Sequence, residues 1–374
     1  MKKISTYKVD KWLLFILFLF VIVSLITIGS AQNLISDNTL IFKQLAWYIL
    51  GFILAYFIMF IGNDFIYKNI WILYIVGIIS LISLLIFATP INNAKCWFVI
   101  PGVGNIQPSE FMKIIIIITL GTMIHKFNND YPQPSIKEEF FFLLKVGFMV
   151  LIPSILTFLE PDTGVVLIYL LITVIMLFIS GIRYRWFIIA FSTIALLIGI
   201  ILLIYFTNTD LFIKIFGTSF FLRIDRLLDW SNGSGYQLEN GITSIGSGGF
   251  LGMGINNTPI YFPEPQTDFI FAVYANNFGF LGSLFLIILL TLFDIKLIIL
   301  AIKNVNLTNK YIISGIVGML LYQQLQNIGM TFGLMPITGI TLPFISYGGS
   351  SLLSYMIMIG IIFNISNQNL RYTN

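Results

Sequence analysis

The sequence predicts an all-α polytopic membrane protein of about ten transmembrane helices, with a large outer loop between spans seven and eight. Three observations carry that expectation. The 374 residues are 58% hydrophobic and only 10% charged, against about 25% charged in a soluble domain. Apolar runs of roughly 20 residues, the length that crosses a bilayer, recur along most of the chain. A single long polar stretch, roughly 207–266, interrupts the series. No separate soluble domain is expected, so residues 1–374 read as one membrane domain.

In order, the spans start near Trp12, Leu45, Ile70, Pro108, Phe140, Gly164, Tyr184, Thr267, Tyr311 and Gly348. The first follows a basic start, MKKISTYKVDK, which a secretion signal would share; its length and the spans behind it favour a retained helix. The eighth is too long for one simple crossing. Its first half, marked by Asn276 and Asn277, is expected inside the protein, with only the rest meeting lipid. A single cysteine, Cys96, excludes an internal disulfide, and a single histidine, His125, argues against a His-rich metal site. The net charge of +4 is better explained by topology than by nucleic acid.

Placing the N-terminus in the cytoplasm puts Lys2, Lys3, Lys8, Lys11, Lys68, Lys126, Lys137, Lys145, Arg183, Arg185, Lys296, Lys303, Lys310 and Arg371 inside. Outside remain Lys43, Lys95, Lys113, Lys214, Arg223 and Arg226. That asymmetry is the cationic excess of cytoplasmic loops, and it makes both termini cytoplasmic. The outer face then collects the 207–266 loop with KCWFVIPGVGNIQPSE, LEPDTG and MPITGITLPFISYGG.

In QPSEFMK, Pro108 suits the first turn of a helix and Glu110 its third position. Glu110 and Lys113 share a face at i, i+3, which by itself is a capped helix start with a local ion pair. Lys113, however, lies more than a turn into the span, where an ionisable group is by default a candidate functional group. In LEPDTG, Pro161 is expected to open the sixth span with Asp162 in its first turn. The helix dipole alone favours an acid there, and Asp162 gains interest if it neutralises Lys113. In the long loop, 219–230 reads as an amphipathic helix at the interface, with Arg223 and Arg226 reaching toward headgroups. The glycines of 233–254 permit either turns or a close approach of backbone to a ligand.

In TDFIF, Thr267 is expected to cap the helix and Asp268 to sit in its first turn. Capping leaves the setting unexplained. A carboxylate at a helix mouth, shielded by the glycine-rich loop and flanked by Pro263 and Pro265, would be desolvated and gain the proton affinity of a general base. Pro336 and Pro343 interrupt helicity at membrane depth, where irregular backbone survives only buried in protein or lining a cavity.

Taken together, NNAKCWFVIPGVGNIQPSEFMK, LEPDTG, GYQLENGITSIGSGGFLGMGI, PEPQTDFIFAV and GLMPITGITLPFISYGGSS resemble, in order and spacing, the RodA/FtsW/SpoVE (SEDS) family of cell-shape, division and sporulation proteins. The resemblance covers nearly the whole chain. It implies a peptidoglycan glycosyltransferase that polymerises lipid II on the outer face of the bacterial plasma membrane, beside a class B penicillin-binding protein that cross-links the strands. By motif it places the essential carboxylate on Asp268, outer-cavity polar residues on Gln107, Glu110, Lys113 and Asp162, and a loop arginine on Arg223. Three departures stand out: Cys96 replaces a frequent arginine, Met253 a frequent lysine, and Asn276-Asn277 a common pair of acids.

The same resemblance implies an inverting transfer, from an α-linked lipid diphosphate to a β-1,4 glycan. Asp268 is the candidate base; Arg223 and Lys113 are candidates for the cationic side, with a divalent cation, magnesium or manganese, as the one cofactor candidate. A lipid II flippase would use an intramembrane charged cavity equally well, and a non-catalytic scaffold of the elongation or division machinery is the third reading.

Overall fold

A computed structural model describes residues 7–90, 95–100, 104–218, 220–222, 224, 235–258 and 260–372. The helices among them are α1 (Lys11–Ile35), α2 (Leu40–Ile61), a short α3 (Asn63–Lys68), α4 (Ile70–Phe87), α5 (Pro108–Asp130), α6 (Ile136–Leu159), α7 (Thr163–Ile179), α8 (Tyr184–Thr207), α9 (Thr209–Phe216), α10 (Tyr236–Ser247), α11 (Ile270–Lys303), α12 (Leu307–Thr331) and α13 (Gly349–Tyr372). An antiparallel hairpin, β1 (Phe98–Ile100) and β2 (Gly104–Ile106), pairs Phe98 with Ile106 and Val99 with Asn105.

Every expected span has its helix. Seven of them, α1, α2, α4, α6, α8, α11 and α13, are long and apolar enough to cross a bilayer by length and composition alone. The other three differ for physical reasons. With 17 residues, α7 is about 26 Å long. The interiors of α5 and α12 carry buried Lys113 and Gln323, Gln324, Gln326 and Asn327, side chains that lipid would not accept but a surrounding protein can. These two helices are central: α12 packs against α5, α7 and α11, and α13 runs along α2. By contrast α8 buries only Tyr205.

Local signals set the helix starts. Asp10 caps α1, its Oδ1 accepting from the N–H groups of Trp12 and Leu13 at 3.1 and 3.3 Å. Its Oδ2 meets Lys296 Nζ at 2.8 Å, which latches α1 to the far end of α11. Ser135 and Glu138 form a capping box at α6, and Pro108 occupies the first turn of α5. Three starts come four or five residues earlier than the apolar pattern suggests: α2 begins at Leu40, α6 at Ile136 and α12 at Leu307, because helices run on past the hydrocarbon.

The division of α11 into an inner and a lipid-facing half has a sharp cause. Residues 270–277 are all buried, Phe280 is 58% exposed, and between them Gly279 breaks the helix at φ 63°. A break at membrane depth frees backbone groups that need partners, and the glycine-rich segment supplies them. Met253 and Gly254 donate their N–H groups to the carbonyls of Asn276 and Asn277 at 2.9 and 3.1 Å. Phe280 and Leu281 donate to the carbonyls of Gly249 and Phe250 at 2.9 and 3.2 Å. Gly248, Gly252 and Gly279 therefore serve a close approach of backbone to backbone. A Cβ on Gly279 would stand 2.4 Å from Gly252 N.

Candidate functional site

A cavity of about 990 Å³ opens at the end of the bundle where α5, α7 and α13 begin. Its walls include Gln107, Glu110, Asp162, Glu264, Thr267, Asp268 and Gln323. The β-hairpin runs into α5 through Gln107, whose backbone N–H donates to Ser350 Oγ at 2.8 Å; Ser350 Oγ in turn donates to Asn105 O at 3.1 Å. The start of α13 thus fixes where α5 begins. From there Gln107 Nε2 donates to Asp162 Oδ2 at 2.6 Å, while Asp162 Oδ1 accepts from Val165 N at 3.1 Å. Asp162 is the N-cap of α7, one residue ahead of the expected first turn, because its side chain is the acceptor that the first free N–H groups need. Burial pushes its carboxyl up to about 6 against the Val165 bond, and the Lys113 charge pulls it back.

One turn into α5, Lys113 Nζ lies 2.7 Å from Glu110 Oε2 and 5.5 Å from the centre of the Tyr355 ring. Gln323 Nε2 donates to Tyr355 Oη at 2.9 Å. Lys113 is fully buried behind Glu110, so it holds the carboxylate that faces the cavity. Its ammonium does not line the cavity in this structure. Among the described residues the Lys or Arg on the cavity wall is Lys43, half exposed and 3.5 Å from Asp37; Arg223 and Arg226 lie outside the described residues. Nothing in the sequence distinguished Lys43 from an ordinary interfacial lysine. Cys96 also lines the cavity, its Sγ donating to Glu160 O at 2.7 Å, and brings no charge: burial, then the acids at 162 and 160, push the thiol up to about 12.

Asp268 sits in the turn before α11. Thr267 does not cap that helix. Its Oγ1 donates to Glu264 Oε2 at 2.9 Å, and the N-cap is Phe269, with no side-chain bond. The reason is the turn built on Glu264, whose carbonyl accepts from the N–H groups of Thr267 and Phe269 at 3.3 and 3.2 Å. The Asp268 carboxylate is therefore free of any capping duty. Burial pushes it up to about 7, and the neighbouring Glu264 charge adds to the rise. A carboxylate of that affinity, on the wall of a cavity, is suited to take a proton near neutral pH. Among the described residues no group of three or more His, Cys, Asp or Glu side chains comes together in a way that could hold a metal ion.

The chain matches the profile of the FtsW/RodA/SpoVE cell cycle protein family over residues 7–371. It is 36% identical over 307 residues to the probable peptidoglycan glycosyltransferase FtsW of Bacillus subtilis, covering 78% of this chain and 72% of that one. It is 30% identical over 378 residues to the stage V sporulation protein E of the same organism, covering 96% of both. A solved structure of a peptidoglycan synthase complex, described as coordinating polymerization and crosslinking, superposes with a TM-score of 0.79 at 26% identity, covering 96% of this chain and 98% of that one.

Proposed function

The chain belongs to the FtsW/RodA/SpoVE family, and from that premise we propose that it is a peptidoglycan glycosyltransferase polymerising lipid II, with Asp268 as its general base. One observation carries the assignment: the Asp268 carboxylate, which does not cap α11, lies on the wall of a cavity of about 990 Å³ where burial raises its proton affinity. That volume is of the size that holds organic ligands, about 300–1,000 Å³.

In the reaction, Asp268 accepts the proton of the acceptor sugar hydroxyl as that oxygen bonds to the anomeric carbon of the donor. The bond from that carbon to the lipid diphosphate breaks, and the α configuration inverts to β. Gln107, Glu110 and Asp162 present polar groups to the sugars from the facing helix starts, with Lys113 fixing Glu110. Lys43 and Arg223 supply positive charge toward the departing diphosphate. The cavity faces outward in a bacterial plasma membrane with both termini in the cytoplasm, the orientation that the cationic residues favour. A single-span class B penicillin-binding protein packs against the helices and cross-links the product.

The test is purified protein, with its cognate transpeptidase, incubated with labelled lipid II. Glycan chains are expected. Wild-type protein that makes none but moves lipid II across a vesicle bilayer would replace this reading with a flippase.

A further inference from the structure

Asn327 lies in α12, fully buried, and is not on the cavity wall. Its carboxamide has two hydrogens to donate, and both are used on backbone: to Asp268 O at 2.9 Å and to Ile340 O at 2.8 Å. Ile340 belongs to the irregular segment between α12 and α13, which lines the cavity at 338–341. A Cβ placed on Gly339 would stand 3.6 Å from Asp268 Oδ2, so the carboxylate runs alongside the same segment. Asn327 therefore sets the spacing between the peptide that carries Asp268 and the wall that its carboxylate follows.

The tie completes a series. The successive carbonyls of Gln266, Thr267 and Asp268 accept from Tyr347 N at 2.8 Å, Ser346 Oγ at 2.7 Å and Asn327 Nδ2 at 2.9 Å. The first two partners lie in SYGG; the third alone comes from α12 and acts on the peptide of the aspartate itself. The neighbouring Gln326 does a comparable job elsewhere, donating to Pro336 O at 2.7 Å, without touching the Asp268 turn. Irregular backbone at this depth needs such partners for stability. What separates Asn327 from Gln326 is which carbonyl it holds.

Resting on the reading of Asp268 as the base, we infer that Asn327 is a positioning residue, joining the Asp268 peptide to the 338–341 wall and so fixing the direction in which the carboxylate meets the acceptor hydroxyl. A misplacement of about 1 Å in such a group costs on the order of a hundredfold in rate.

The experiment compares Asn327→Ala and Gln326→Ala with wild type, as full-length proteins with the transpeptidase. Asn327→Ala loses two side-chain hydrogen bonds to backbone and Gln326→Ala one, so both thermal midpoints are expected to fall, that of Asn327→Ala further. Only Asn327→Ala is expected to lose kcat, on the order of a hundredfold with KM within about twofold. A second readout needs no turnover: carbodiimide labelling of Asp268 across pH, read by peptide mass spectrometry. Asn327→Ala is expected to shift the labelling midpoint and raise the labelling rate, and Gln326→Ala to leave both at wild-type values. An Asn327→Ala protein with unchanged labelling overturns the inference, as does a Gln326→Ala protein that matches its loss of kcat. Wild-type protein that makes no glycan would instead sink the glycosyltransferase reading, and the labelling comparison would still decide the role of Asn327.

Discussion

Lys113 Nζ stands 2.7 Å from Glu110 Oε2, with both residues buried one turn below the mouth of the cavity. Removing one member of a buried pair leaves an uncompensated charge, which typically costs about 3–5 kcal/mol. Lys113→Met is therefore expected to lower the thermal midpoint sharply, and Lys113→Met with Glu110→Gln to recover much of that loss while polymerisation stays impaired. A double variant no more stable than the single one would show that the pair is not the source of the cost.

Asp268 makes no capping bond with its side chain, so Asp268→Asn removes proton acceptance and little else. Polymerisation is expected to fall on the order of a hundred- to ten-thousand-fold while the elution profile stays at the wild-type position and the thermal midpoint near neutral pH is at or above the wild-type value, because the raised affinity of the buried carboxyl costs stability when it ionises. A folded variant that builds glycan at near wild-type rate would remove Asp268 from the mechanism.

The same carboxylate predicts a pH profile. A base must be ionised, and its affinity is raised to about 7; kcat/KM is expected to be flat above that value and to fall about tenfold per unit below it. Substituting Glu264, whose charge contributes to the rise, by Gln is expected to move the acid limb to lower pH. An unmoved limb would place the titration elsewhere.

Glu160, at the end of α6, is fully buried, and burial with the Asp162 charge pushes its carboxyl from 4.5 up to about 8. Because the folded affinity is raised, its contribution favours folding below the unfolded value and is lost as pH rises through about 8. Glu160→Gln is expected to be more stable than wild type above pH 8, by roughly a few kcal/mol at most, with the difference closing toward pH 4.5. Thermal midpoints in detergent across that range measure it.

At the break in α11, Gly279→Ala meets both a positive φ and a Cβ 2.4 Å from Gly252 N, so folded yield is expected to collapse. Gly246→Ala in α10 has nothing within 4 Å and is expected to be neutral or more stable by up to about 1 kcal/mol. Equal behaviour of the two would contradict the backbone clamp between 249–254 and 276–281.

Much of the fold was legible because the bilayer imposes a length and a polarity that each segment must meet alone. The helix starts at Ile70, Pro108 and Tyr184, and the inner half of α11 before Asn277, follow from runs of apolar residues and the signals at their ends. The motifs also brought Gln107, Glu110, Asp162 and Asp268 forward as candidates, and all four line one cavity. Tertiary packing decided the rest, since it joins residues far apart in the chain. Lys113 reads the same in sequence whether its ammonium is exposed to a cavity or backs Glu110; only packing buries it behind Glu110 and beside Tyr355, more than 200 positions away. Thr267 has the chemistry of a cap, and the turn on Glu264 takes its hydroxyl instead. Asn327 is one amide in QQLQN until α12, the Asp268 turn and the 338–341 wall meet. Sequence specifies what each segment can bury, whereas the partner of a buried polar group is chosen only when the helices pack.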